Sequence, residues 1–83
     1  MRDSYAALCE GDPEEYSRLY DEHGMDLLRL ATGIVWDAHE AEDIVQEAFL
    51  GLYETARRNR LKQGNSAVPG FLRRTTRNLA IDR

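Results

Sequence analysis

Between residues 38 and 58 apolar side chains recur on two stripes of one helix, and this doubled pattern constrains what the chain can fold into. Ile44, Val45, Ala48, Phe49, Leu52 and Ala56 fall on one side at three- and four-residue spacing, as a core-facing stripe does. Asp43, Gln46, Glu47 and Leu50 recur at i, i+3, i+4 and i+7 on roughly the opposite side. A solvated stripe has no need of a leucine among acids, whereas a docking stripe does. The residues therefore predict a helix buried along one face and engaged with a macromolecule along the other.

Local signals set the neighbouring elements. Asp37 followed by Glu40 has the form of a capping box and starts the helix at 38. Asp12-Pro13-Glu14-Glu15 repeats that logic, with Asp12 as cap, Pro13 in the first helical position and Glu15 closing the box. The helix it opens runs over 13–35, with Tyr16, Leu19, Tyr20, Leu27, Leu30, Ala31 and Ile34 on its buried face. Gly24 in its middle marks either a bend or a small residue at a helix crossing. Residues 4–10 form a short helix with Tyr5, Leu8 and Cys9 inward, ended by Gly11. Residues 59–67 have loop composition, and Ser66 or Asn65 caps a last helix with Pro69 in its first turn and Leu72, Thr76 and Leu79 in the core. The expected fold is all-α: a compact bundle of about four helices, at 4–10, 13–35, 38–58 and 67–82, forming one domain within 83 residues.

The net charge of −4 conceals a division. Residues 1–47 carry thirteen acids against three bases, and residues 48–83 carry eight bases against two acids. The second half is compatible with nucleic acid, because phosphate contact is a local matter, and equally with an asymmetric solvated surface. Phe71, Arg74 and Asn78 share one edge of the last helix, with Arg73 and Arg77 beside them. An aromatic can stack on a base, arginine neutralises phosphate, and asparagine reads a base edge. The alternative is a core phenylalanine among solvated arginines.

Other classes lack residues. There is no glycine-rich phosphate loop, H-E-x-x-H, cysteine cluster or G-x-S-x-G, so no enzyme, metal site or cofactor is expected. The lone Cys9 makes no internal disulfide and suits a reducing compartment. His23 lies near the core stripe and reads as a packed residue. No stretch reaches the roughly 18 apolar residues of a membrane span, and the N-terminus lacks a secretion signal, so the protein is read as cytoplasmic.

Three segments, in order, resemble region 2 of the extracytoplasmic-function type of bacterial sigma factor: 12–20 (DPEEYSRLY), 40–49 (EAEDIVQEAF), and 71–74 (FLRR) with 77–83 (RNLAIDR). The likeness extends from about Leu8 to Arg83. It implies a transcription initiation factor domain that docks on the RNA polymerase β′ clamp helices and recognises and melts the promoter −10 element. The docking positions it implies are Asp43, Gln46 and Glu47, with Leu50 as apolar centre. The DNA positions are Asn78, reading a flipped non-template-strand base, and Arg73, Arg74 and Arg77, tracking phosphates. Phe71 and the loop residues Lys62, Asn65 and Ser66 complete the DNA set. The chain departs from the family in having Phe71 where tryptophan is usual, and in a longer 58–69 loop. The helix-turn-helix module that reads the −35 element is absent from these residues, which are read as one region 2 domain. The other reading is a helical interaction module working through a regulatory protein, such as an anti-sigma factor, without touching DNA.

Overall fold

Both aspartate caps form as their sequences dictate. Asp12 Oδ1 accepts a hydrogen bond from the Glu14 N–H at 3.0 Å, and Asp37 Oδ1 accepts one from the Glu40 N–H at 3.0 Å. Each satisfies a donor that the first helical turn leaves without an intrahelical partner. The computed structural model describes residues 4–58, 60–61 and 64–83, apart from the side chain of Asn65. Within them lie α1 (Ser4–Glu10), α2 (Pro13–Val35), α3 (Ala38–Arg57) and α4 (Val68–Asp82), with a 3₁₀ turn over Gly64–Ala67 and no strand. Gly11, at φ 73°, ends α1 in the left-handed conformation that glycine adopts freely.

α2, α3 and α4 each pack on the other two, and α1 lies mainly on α3. The principal core joins Leu8, Leu19, Leu27, Val45, Leu52 and Leu72. A second cluster of Ala31, Ala41, Ile44 and Ala80 seals one end, where alanines let the three helices approach closely. Gly24 is buried and serves close packing: a Cβ there would press on the Tyr20 ring at 3.3 Å, and that ring packs on Phe49 with centroids 5.3 Å apart.

Several expectations are corrected. Tyr20 and Ile34, assigned to the buried face of α2, are exposed, since α3 and α4 cover a narrower arc than the apolar stripe spans. Glu15 does not close a box on Asp12. The Asp12 N–H donates to the Ala7 carbonyl at 3.0 Å, while the Glu15 carboxylate accepts from Ser4 Oγ at 2.7 Å and from Arg18. The Arg18 hydrogen bond, helped by Ser4, holds that carboxyl below the usual range. Neither Ser66 nor Asn65 is the N-cap of α4. The chain enters it through the 3₁₀ turn, so Ala67 holds the cap position with right-handed helical dihedrals and no side-chain hydrogen bond. α3 ends one residue earlier than expected, at Arg57.

One buried group is unsatisfied: Thr76 Oγ1 has no hydrogen-bond partner among the described residues, although Thr76 is fully buried. An orphaned hydroxyl costs about 1–3 kcal/mol. Thr76→Val keeps the shape and should stabilise the fold by about 1 kcal/mol, raising the thermal midpoint by roughly 4–8 °C for a domain of this size. A midpoint at or below that of the parent would contradict an unsatisfied hydroxyl.

Candidate functional site

Two faces stand out, and each is built by helix periodicity. The outer face of α3 presents Asp43, Gln46, Glu47 and Leu50 together to solvent, with Leu50 55% exposed. They line a concavity of about 470 Å³, whose remaining wall is Arg83. Arg83 comes from the end of α4, donating to Glu47 Oε2 at 3.0 Å and lying 4.0 Å from Glu40. The acidic stripe thus carries an intramolecular counter-charge, which sequence reasoning did not assign to this face.

Beside it, between α2 and α3, runs an open groove of about 740 Å³, lined by Met25, Leu28, Trp36 and Ala38, with Arg29 and Glu42 among its polar members. Trp36 is 86% exposed and Met25 63%. Trp36 closes α2 as a left-handed C-cap, with its indole N–H donating to the Gly33 carbonyl at 3.0 Å. Sequence reasoning saw only that Trp36 breaks the helical pattern. The available signal was a lone indole in a two-residue connection, where no core position requires it.

The other face belongs to α4. Arg73, Arg74, Arg77 and Asn78 are exposed and line a concavity of about 410 Å³ with Gly70 and Leu30 of α2. None of these three arginines makes an ion pair among the described residues. Three uncompensated guanidinium groups around one hollow set up a local positive potential, with an amide beside them that both donates and accepts. Phe71 does not join this hollow. It is half-buried against the core, and a Cβ at Gly51 of α3 would meet its Cζ at 3.9 Å. Ser66 is exposed in the 3₁₀ turn, and Lys62 lies outside the described residues.

Among the described residues no group of three His, Cys, Asp or Glu side chains could hold a metal ion. No helix there is long and apolar enough to cross a membrane.

A helical module with an acidic and apolar face on one helix and an unpaired arginine face on another has the form of a protein adaptor to a polyanion. Residues 19–83 match the family Sigma-70 region 2, and the chain belongs to that family. Region 2 is a transcription initiation factor domain that serves promoter recognition and RNA polymerase binding, and it is not a known enzyme family. The match begins within α2, leaving α1 and the first turns of α2 outside it. No curated protein and no solved structure matches the chain.

Proposed function

We propose that the chain is region 2 of an extracytoplasmic-function type sigma factor, working in the cytoplasm as a single module over residues 1–83. Asp43, Gln46, Glu47 and Leu50 dock on the β′ clamp helices. The face carrying Arg73, Arg74, Arg77 and Asn78, with the preceding loop through Lys62, Asn65 and Ser66, melts the −10 element and holds a flipped non-template base. Phe71 contributes only the edge it leaves exposed. The observation that carries the DNA half is the hollow on α4, with three arginines around Asn78 that make no ion pair among the described residues. Unstacking a base costs a few kcal/mol, which a preformed polar pocket must return.

Binding to single-stranded −10-like oligonucleotides, measured against salt, tests this. Each backbone-contacting arginine should add about 0.7 to the slope of log affinity against log salt. Arg73→Ala, Arg74→Ala and Arg77→Ala should each lower that slope and weaken all sequences alike. Asn78→Ala should instead remove preference at one position, by about 1–3 kcal/mol. Absence of binding to a randomised pool at low salt would sink the DNA reading. The apolar groove around Trp36 and Met25 favours a second reading, in which an anti-sigma factor lays a helix there. Under that reading alone, Asn78→Ala changes nothing.

A further inference from the structure

α1 lies outside the family match, yet it is fastened to the domain by hydrogen bonds along its length. Ser4 Oγ donates to Glu15 at 2.7 Å. The Tyr16 hydroxyl donates to the Leu8 carbonyl at 3.1 Å, and burial pushes that phenol up to about 12. Arg57 Nη1, at the end of α3, donates to the Glu10 carbonyl at 2.9 Å and reaches the Cys9 carbonyl at 3.4 Å. Carbonyls at a helix C-terminus have no intrahelical donor, so these bonds are what α1 offers its neighbours.

Held in this way, α1 carries Tyr5 to the segment before α4. That segment is anchored at both ends, by Leu61 and Val68 in the principal core. Between the anchors the Gly64 N–H donates to the Leu61 carbonyl at 3.1 Å, and Gly64, at φ 59°, opens the 3₁₀ turn Gly64–Ala67. The Tyr5 ring packs beside the first residue of this 3₁₀ turn: a Cβ built on Gly64 would lie 3.8 Å from Tyr5 Cγ, in ordinary contact. Burial raises the pKa of the Tyr5 phenol, the neighbouring Cys9 side chain adds to that rise, and the Leu61 backbone opposes it. A turn flanked by an aromatic ring is preorganised, and preorganisation lowers the ordering cost of binding.

We infer that Tyr5 is a positioning residue for base recognition: packed beside Gly64, it fixes the 3₁₀ turn leading into α4, so that α1 governs base discrimination from outside the nucleic-acid face. This rests on the proposed role of that loop in holding a flipped base. Two measurements on the 83-residue chain separate the contact from the role. In Tyr5→Ala, amide exchange at Gly64 should accelerate about tenfold or more while exchange at Leu27 and Ile44 stays slow, since only a local opening is eased. In the same variant, discrimination among −10-like oligonucleotides differing at the flipped base should fall about fivefold or more, with the salt slope unchanged.

Tyr5→Phe keeps the ring and should retain most of the discrimination. Gly64→Ala keeps Tyr5 but strains the left-handed turn, and should reproduce the loss should Tyr5→Ala unfold the domain. Unaltered Gly64 exchange in Tyr5→Ala overturns the brace. Accelerated exchange with parental discrimination overturns its part in reading. A parent chain without base preference fails the loop reading itself, and the exchange measurement still decides the brace.

Discussion

Asp43→Arg should weaken binding to RNA polymerase core about 100-fold or more. Asp43 is exposed at the N-terminal end of the α3 stripe, one turn from Glu47, and forms no ion pair among the described residues. On the proposed docking of this acidic stripe against a basic polymerase surface, reversal replaces an attraction by like-charge contact, which costs several kcal/mol, and each 1.4 kcal/mol is tenfold in affinity. The fold should hold, because surface changes of this kind stay within about 0.5 kcal/mol. Titration of labelled chain with core enzyme, beside a thermal melt, reads both quantities. Binding within about threefold of the parent, with the melt unchanged, would remove the α3 stripe as the docking face.

Leu52→Ala should be among the most damaging single truncations. Leu52 is fully buried in the principal core, and a leucine-to-alanine cavity costs about 2–5 kcal/mol. A domain of this length has a total stability of only about 4–12 kcal/mol at 0.05–0.15 kcal/mol per residue. Leu50→Ala, two residues earlier but 55% exposed, should stay within about 0.5 kcal/mol. Urea denaturation of the pair reads the orientation of α3 directly. Equal losses would mean that the two faces are wrongly assigned.

What was legible in the sequence followed the range of the forces involved. The caps at Asp12 and Asp37 act within three residues, so residue type and spacing suffice to place the starts of α2 and α3. The inner stripe of α3 was legible because Ile44, Val45, Ala48, Leu52 and Ala56 have one buried environment at one period. Tyr20 and Ile34 were misread because apolar character marks a stripe without saying how much of it neighbours cover. The start of α4 was misread because a 3₁₀ turn supplies the backbone geometry that a capping side chain would otherwise enforce.

At the candidate site, helical spacing alone grouped Arg73, Arg74, Arg77 and Asn78. Phe71, only one position before Leu72, turns toward Gly51, where an added Cβ would meet its Cζ in ordinary contact at 3.9 Å. Arg83 against Glu47 joins residues 36 apart in the chain, and no local rule predicts such a pairing. Leu30 entered the α4 hollow for the same reason: it comes from another helix.

Trp36 is the one non-glycine among the described residues with positive φ, at 59°. Glycine is the usual occupant of such a helix end, and a side chain there costs about 1–2 kcal/mol. The hydrogen bond from its indole to Gly33 offsets part of that cost. Glycine at this corner would remove that strain. The domain instead keeps its largest side chain in its least comfortable backbone, nearly all of it in water. Position 36 therefore presents an indole to solvent at the expense of backbone comfort.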